Sequence, residues 1–149
     1  MKRSVTILGA GLVGSVLAVL LRKRGYEVVI YERRPDMRKS AIGAGRSINL
    51  AMSDRGWKAL ELAGIREAIA AIAIPMPGRY LHQENGEAVF QAYGKNGEAI
   101  YSVSRGELNK KLMDMAEQQG ATIHFNQRCS KVDVTHNIIF LQDENGQEK

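Results

Sequence analysis

The chain has 149 residues, a net charge of +5 and one cysteine, and these values already limit its fold and function. The apolar fraction of 44% and the charged fraction of 25% are ordinary for a globular domain, so the length predicts one domain with its own core. The single cysteine, Cys129, excludes an internal disulfide framework and a cysteine-rich metal site. The basic residues are dispersed without interleaved aromatic residues, which argues against a nucleic-acid partner.

The N-terminus imitates a signal peptide, since Lys2 and Arg3 precede an apolar stretch from residue 5 to residue 21. Glycines interrupt that stretch, no cleavage-site pattern follows it, and a basic triplet leads directly into another strand pattern. The stretch is also marginal for a bilayer, which needs about 20 apolar residues. We therefore expect a cytoplasmic protein with no membrane segment in this portion.

The first elements form a β-α-β pattern. Apolar runs predict strands at Val5–Leu8 and Val28–Tyr31, with a helix between them at Leu12–Arg24 that ends before Gly25. The apolar stripe predicted for this helix consists of Val13, Val16, Leu17, Leu20 and Leu21. A long loop follows, marked by Pro35, Gly43 and Gly45.

The later elements mix helices with short strands. Helices are predicted from the capping residue Ser53 to Leu62, at Ile65–Ile72, and from the capping pair Ser104 and Glu107 to Gly120. Strands are predicted at Tyr80–Gln83, Ala88–Ala92, Ala99–Val103, Thr122–Phe125, Lys131–Val134 and Ile138–Gln142, the first three joined by turns at Asn85-Gly86 and Asn96-Gly97.

The predicted fold class is α/β. It has a Rossmann-like nucleotide-binding β-α-β unit and a parallel sheet, interrupted by a small antiparallel patch on the substrate side. We divide it into segments 1–72, 73–103 and 104–149, which together form one incomplete domain.

Three glycines, Gly9, Gly11 and Gly14, follow the first strand and open the helix, as the dinucleotide-binding motif requires. The first permits a tight turn, the second lets a pyrophosphate approach the backbone, and the third lets the helix pack on the strand. Glu32 ends the second strand at about the 20-residue distance where an acidic side chain meets a ribose. An acid there repels a 2′-phosphate, so the expected cofactor is FAD or NAD rather than NADP. The layout after Glu32, with a long loop and an antiparallel patch instead of an immediate third parallel strand, favours a flavoprotein.

Three strings in the sequence resemble a known family. They are Gly45-Arg46-Ser47-Ile48-Asn49-Leu50-Ala51-Met52-Ser53-Asp54-Arg55-Gly56, Ile74-Pro75-Met76-Pro77-Gly78-Arg79 and Ser102-Val103-Ser104-Arg105-Gly106-Glu107-Leu108-Asn109-Lys110. With them the chain resembles, from Val5 to about Leu141, the kynurenine 3-monooxygenases. These belong to the FAD-dependent aromatic hydroxylases that share the para-hydroxybenzoate hydroxylase fold.

The resemblance implies a set of cofactor contacts. Those along the FAD pyrophosphate are Gly9, Gly11, Leu12, Val13 and Gly14, and those around the adenosine are Tyr31, Glu32, Arg33, Arg34 and Cys129. Arg46 and Ala51 are implied beside the flavin, and Arg105 is implied as a further contact. Arg79 and Tyr93 match the pair that holds the substrate carboxylate, a role that suits the two-pronged guanidinium and the phenol.

The implied reaction uses NADPH to reduce FAD and O2 to convert L-kynurenine into 3-hydroxy-L-kynurenine, a step of tryptophan degradation and pyridine nucleotide biosynthesis. No catalytic side chain is implied, because the chemistry belongs to the cofactor. The scattered histidines His82, His124 and His136 predict no metal site.

The end of the chain, Asp143-Glu144-Asn145-Gly146-Gln147, resembles a turn before a further strand, so we expect a truncated protein. The family's later flavin-binding motifs are absent, and the chain alone is expected to be inactive. Three alternatives remain open: a flavin hydroxylase with another aromatic substrate, an NAD-binding dehydrogenase or sensor domain, and a nucleotide-binding module without catalysis.

Overall fold

The computed structural model describes residues 3–39, 48–143 and 145–148. Within these ranges the elements are, in chain order, β1 (Ser4–Leu8), α1 (Leu12–Lys23), β2 (Glu27–Tyr31), β3 (Asn49–Met52), α2 (Asp54–Ala63), α3 (Arg66–Ala70), β4 (Ile74–Met76), β5 (Gly78–His82), β6 (Ala88–Ala92), β7 (Ile100–Ser104), α4 (Arg105–Gln118), β8 (Thr122–His124), β9 (Arg128–Asp133) and β10 (Ile138–Gln142). They fall into two compact units, the first of residues 1–46 and 109–149 and the second of residues 47–108.

The first unit contains a parallel sheet in the order β1-β2-β8. Ser4 pairs with Glu27 at one end of the β1–β2 ladder, and Leu8 pairs with Tyr31 at the other. The short strand β8 joins β2 through the pair Val29 and Thr122. The carboxyl ends of all three strands therefore meet at one edge, where ligands of open parallel sheets bind. The predicted α/β fold with a parallel sheet is confirmed.

Helix α1 packs on this sheet through its small residues. Ser15, Ala18 and Val19 are buried, whereas Val13 and Leu17, from the stripe predicted by hydrophobic periodicity, are 81% and 42% exposed. The most buried face of the helix is therefore the one that carries Ser15 and Ala18, and not the apolar stripe. Close approach of a helix to a strand requires small side chains, and this requirement outweighed the apolar periodicity.

Strands β9 and β10 complete the first unit as an antiparallel hairpin, whose register shifts between Phe140 and Leu141. Its position in the chain directly after β8 places β9 near the carboxyl edge of the parallel sheet. Both strands were expected from the sequence, although β9 begins three residues earlier than predicted.

The second unit contains an antiparallel sheet in the order β3-β7-β4. The sequence did not predict β3 or β4, and it placed β7 beside β6 through the Asn96-Gly97 turn. The structure corrects this arrangement, since β7 pairs with β3 on one side and β4 on the other. Pro75 is tolerated in β4 because this strand lies at the sheet edge, where one ladder donor can be missing.

The antiparallel pair β5–β6 is a separate two-stranded hairpin. Its predicted Asn85-Gly86 turn is present, with Gly86 N–H donating to the Gln83 carbonyl at 3.0 Å. Helix α2 is capped as expected, since the Ser53 hydroxyl accepts from Gly56 N–H at 3.3 Å. In the described part of the chain no helix combines the length and apolar character that crossing a membrane requires.

Glu32, the residue after β2, connects the carboxyl edge of the sheet to the glycine loop. Its Oε2 accepts from Ala10 N–H at 2.9 Å, and its Oε1 accepts from Arg34 N–H and Arg34 Nε, both at 2.9 Å. The residue is only 5% exposed. A buried carboxylate with these donors stabilises the turn between strand and helix, because breaking the set would leave a charge without partners.

Burial raises the pKa of the Glu32 carboxyl. The hydrogen bonds from the Arg34 side chain, Arg34 N–H and Ala10 N–H, together with the Arg34 charge, outweigh burial and hold the pKa below its ordinary value of 4.5. A lowered pKa means that the charged form is the one the fold stabilises.

We expect Glu32→Gln to reduce the free energy of unfolding at pH 7 by about 1 kcal/mol, since Gln keeps an acceptor but loses the charge. The contribution of the carboxylate is complete above pH 4.5 and is lost as the pH falls through the lowered folded value. Urea denaturation at a series of pH values should show that the difference in free energy of unfolding between Glu32→Gln and wild type becomes smaller below about pH 4.5. Glu84→Gln, at an exposed turn position, controls for removing one carboxylate, and a difference that stays constant down to pH 3 would contradict the assignment.

Candidate functional site

A cleft of about 500 Å3 lies at the carboxyl edge of β1 and β2 in the first unit. Its walls come from the glycine loop, the end of β2, the segment that follows β2 and the start of β9. The lining residues are Leu8, Gly9, Gly11, Tyr31, Glu32, Arg33, Arg34, Gln127, Arg128 and Cys129. Seven of the predicted cofactor residues thus line a single cleft.

The glycine loop has the geometry that its three glycines require. Gly9 has a φ of +105°, and its N–H donates to the Tyr31 carbonyl at 2.8 Å. A Cβ on Gly14 would lie 2.1 Å from the Gly9 carbonyl oxygen, so no other residue fits there without moving the backbone. A Cβ on Gly11 would meet nothing within 4 Å, because Gly11 borders the open cleft. A ligand can therefore approach the backbone of Gly11 directly.

The N-terminus of α1 adjoins this opening. The cap residue Gly11 has no side chain with which to accept hydrogen bonds from the first turn. N–H groups of the first turn, including those of Leu12 and Val13, have no intrahelical acceptor and carry the positive end of the helix dipole. This arrangement suits a phosphate or pyrophosphate.

Glu32 lies in the cleft wall, but its carboxylate already has donors. Oε2 is held by Ala10 N–H, and the Arg34 side chain covers Oε1. The Arg34 side chain is 58% exposed, whereas that of Glu32 is 7% exposed. An incoming ribose hydroxyl can replace the Arg34 side-chain donor at little cost, since an exposed ion pair contributes little stability.

The opposite wall follows the third parallel strand. Gln127 N–H donates to the Glu32 carbonyl at 3.0 Å, and Cys129 Sγ lies 3.4 Å from the Lys131 carbonyl oxygen. Leu8, Gln127 and Arg128 were not among the predicted site residues. The signal was available, because the residues that follow parallel strands meet at one edge of a sheet.

Two further predicted cofactor residues, Ala51 and Arg105, lie in the second unit. Ala51 is in the middle of β3, paired with Ser102, and Arg105 is the exposed first residue of α4. Arg105 N–H donates to the Ile48 carbonyl at 3.2 Å, which joins the helix start to the segment before β3. Both residues belong to the second unit, and Arg46 lies outside the described residues.

The predicted substrate residues share the β5–β6 hairpin of the second unit. Arg79 pairs with Gln91, and its Nε donates to Gln91 Oε1 at 2.8 Å. Tyr93 directly follows β6, and its N–H donates to the Pro77 carbonyl at 3.0 Å. Because side chains two residues apart point to the same side of a strand, Arg79, Gln91 and Tyr93 share one face. The Arg79 terminal nitrogens make no hydrogen bond with the described residues and can bind a carboxylate.

The site is consistent with FAD by its chemistry. Open space over Gly11, unpaired amides at the start of α1 and an acidic side chain beyond the second strand match the pyrophosphate and ribose of a dinucleotide.

Comparison with known proteins places this geometry in a family. The profile of the family described as FAD binding domain matches residues 2–149. Kynurenine 3-monooxygenase from Christiangramia forsetii is 52% identical over 133 residues, which cover 89% of this chain and 30% of that protein. The Flavobacterium johnsoniae enzyme of the same name is 46% identical over 144 residues, covering 96% of this chain and 32% of its own length. The chain therefore spans about a third of the length of these curated relatives.

Solved structures share the fold at low sequence identity. A mutant of 2-methyl-3-hydroxypyridine-5-carboxylic acid oxygenase superposes over 100% of this chain and 37% of its own, with a TM-score of 0.75 at 18% identity. The p-nitrophenol 4-monooxygenase from Pseudomonas putida covers 100% of this chain and 38% of its own, with a TM-score of 0.75 at 16% identity. The family profile matches nearly the whole chain, and the chain therefore belongs to the FAD-binding domain family, whose cofactor is FAD.

Proposed function

We propose that this chain is the FAD-binding part of an NADPH-dependent monooxygenase that hydroxylates L-kynurenine to 3-hydroxy-L-kynurenine with O2. The observation that carries this proposal is the 45–52% identity to bacterial kynurenine 3-monooxygenases over 88–98% of the chain. Because a match covers up to 98% of the chain, it includes the hairpin with Arg79 and Tyr93 as well as the cleft. A cytoplasmic location stays a prediction of the sequence.

In this proposal the cleft of the first unit holds the adenosine and pyrophosphate of FAD. The glycine loop and the first turn of α1 bind the phosphates, and Glu32 binds the ribose with Tyr31, Arg33, Arg34 and Cys129 around it. In the second unit Ala51 and Arg105 are proposed contacts toward the flavin, and Arg46 is a further one from the sequence. FAD supplies the redox chemistry: it accepts reducing equivalents from NADPH and activates O2.

The residues of this chain have positioning tasks in the reaction. Arg79 can bind the amino-acid carboxylate of kynurenine through its terminal nitrogens while Gln91 holds its Nε, and the Tyr93 hydroxyl can add a further hydrogen bond. The amino group on the kynurenine ring donates electron density to the neighbouring carbon, so no catalytic base is needed for attack there. Fixing the ring at the right distance from the reacting oxygen is then the main contribution of the protein.

The first prediction of this proposed function tests the substrate. The full-length protein that contains this chain should be yellow as purified, and L-kynurenine should stimulate its NADPH oxidation. 3-Hydroxykynurenine should accumulate in the same reaction, measured by liquid chromatography with mass spectrometry. The 149-residue chain assayed alone should form no product, since it spans about a third of its relatives.

Para-hydroxybenzoate and salicylate are the comparison substrates. Stimulation by either of them without stimulation by kynurenine would identify a different aromatic hydroxylase. Product formation by the 149-residue chain alone would contradict its proposed role as one part of the enzyme.

The second prediction separates the two glycines of the loop. Gly11→Ala should preserve the melting temperature of the cofactor-free protein, because its Cβ enters open space, but FAD should bind at least about tenfold more weakly because the methyl group occupies the phosphate position. Gly14→Ala should reduce both the melting temperature of the cofactor-free protein and the affinity for FAD, because its Cβ would collide with the Gly9 carbonyl. Flavin fluorescence titration and thermal melts give the two quantities.

Gly106→Ala is the matched control, since its Cβ meets only the Ser104 hydroxyl at 3.8 Å. Wild-type affinity for FAD in Gly11→Ala would exclude the loop as the phosphate site.

The third prediction concerns Arg79. Replacing it with Met should raise the KM for kynurenine about 10- to 100-fold, because a charge-assisted hydrogen bond to the carboxylate is lost, and should leave FAD affinity unchanged. Arg79→Lys should recover only part of the loss, since an ammonium cannot make two parallel hydrogen bonds. Arg66→Met removes another exposed arginine of the same unit and serves as the control. An unchanged KM in Arg79→Met would remove this residue from the substrate site.

A further inference from the structure

Arg38 is the centre of an ion-pair cluster in the first unit. Its Nε and Nη2 donate to the two carboxylate oxygens of Asp36 at 2.8 and 2.9 Å, which is a two-pronged contact. Its Nη1 donates to Asp114 Oδ1 at 2.9 Å and also to the Glu117 carboxylate. The guanidinium lies over the ring of Phe125, 5.5 Å from its centroid. The Arg38 side chain is 18% exposed, so the cluster is partly shielded from water.

The partners of Arg38 come from three places in the chain. Asp36 is in the segment after β2, Asp114 and Glu117 are on α4, and Phe125 directly follows β8. Arg38 therefore fastens residues 33–39 to a helix more than 70 residues away in sequence. A nearby contact supports the same attachment, since Asn109 Nδ2 lies 3.3 Å from Met37 Sδ.

The fastened segment begins at the cleft. Arg33 and Arg34 line the cleft and precede Asp36 by three and two residues. At the cleft end, the Arg34 carbonyl accepts from Asn126 N–H at 3.3 Å, and Arg34 N–H and Nε both donate to the Glu32 carboxylate at 2.9 Å. The other end of the segment is held by the Arg38 cluster, whose hydrogen bonds also join charged groups. The two ends of the segment are therefore held separately.

The charges in the cluster make the attachment depend on Arg38. Three carboxylates surround one guanidinium, and the hydrogen bond from Arg38 is the main reason that the pKa of Asp36 is lowered. Without the guanidinium, Asp36 would face the two carboxylates of α4. Neighbouring carboxylates repel each other, so the segment after β2 would move away from α4.

We propose that Arg38 is a positioning residue for the cofactor: by fastening the segment after β2 to α4, it holds Arg33 and Arg34 at the adenosine side of the cleft. The inference rests on FAD occupying this cleft and does not depend on which aromatic substrate the enzyme hydroxylates. Arg38 does not line the cleft, so it acts on FAD through Arg33 and Arg34.

The test removes the partners of Arg38 on α4, whose side chains are more exposed than that of Asp36. The double variant Asp114→Asn/Glu117→Gln removes both α4 partners, whose side chains are 43% and 40% exposed, and keeps the Arg38–Asp36 pair. In the full-length protein we expect the Kd for FAD to rise about fivefold, through faster dissociation, with little change in the melting temperature of the cofactor-free protein. The KM for the aromatic substrate at saturating FAD should stay at the wild-type value.

Glu61→Gln/Glu67→Gln is the matched control, because it removes two carboxylates of the second unit with the same change of net charge. Arg38→Gln should raise the Kd for FAD about tenfold, and Arg38→Lys should give a smaller increase because it keeps the charge.

A wild-type Kd for FAD in the α4 double variant would overturn the proposal, as would an equal rise in the control. A lower melting temperature with unchanged FAD affinity would assign the cluster a purely structural role and would also overturn it. If the wild-type enzyme binds FAD but kynurenine does not stimulate NADPH oxidation, the proposed function fails while the comparison of Kd values still decides the role of Arg38.

Discussion

The buried carboxylate of Glu32 connects the walls of the cleft, and much of the site depends on it. Its side chain holds the glycine loop through Ala10 N–H and the following segment through Arg34. Its main chain is also engaged on both sides, since Glu32 N–H donates to the His124 carbonyl at 2.8 Å and the Glu32 carbonyl accepts from Gln127 N–H at 3.0 Å. One residue therefore joins β2, the glycine loop and the segment after β8. Glu32, which is positioned to bind a ribose, therefore also determines the shape of the cleft.

Sequence analysis could predict the position of the cleft because the residues that form it also determine the local structure around it. The turn after β1, the helix that follows and the acid after β2 are local features, determined by residues close together in sequence. Gly9 and Gly14 each show the conformation or close approach that their motif predicts. The α/β fold and the parallel sheet followed from apolar runs separated by a helix, and the ends of these elements were correct to within one or two residues.

The parts that sequence analysis missed are set by distant contacts. Asn49–Met52 is short and follows glycines in the sequence, so its strand can be recognised only through its pairing with Ile100–Ser104. Ile74–Met76 contains a proline, which argues against a strand unless the sheet edge is known. In α1 the apolar stripe does not mark the most buried face, because close packing selected Ala18 over larger apolar residues. Arg128 was missed because its place in the cleft depends on the third strand of the sheet.

The arginines of the first unit differ in whether they have ion-pair partners, and this difference explains part of the positive charge of the chain. Arg34 is paired with Glu32, and Arg38 is neutralised by Asp36 and by two carboxylates on α4. Arg33 and Arg128 also line the cleft, yet neither side chain has an ion-pair partner among the described residues. Paired arginines contribute to the architecture, whereas unpaired ones leave a positive potential at the cleft that attracts an anionic dinucleotide. The excess positive charge therefore favours a cofactor carrying two phosphates, and the ion pairs of the first unit determine which arginines remain available to bind it.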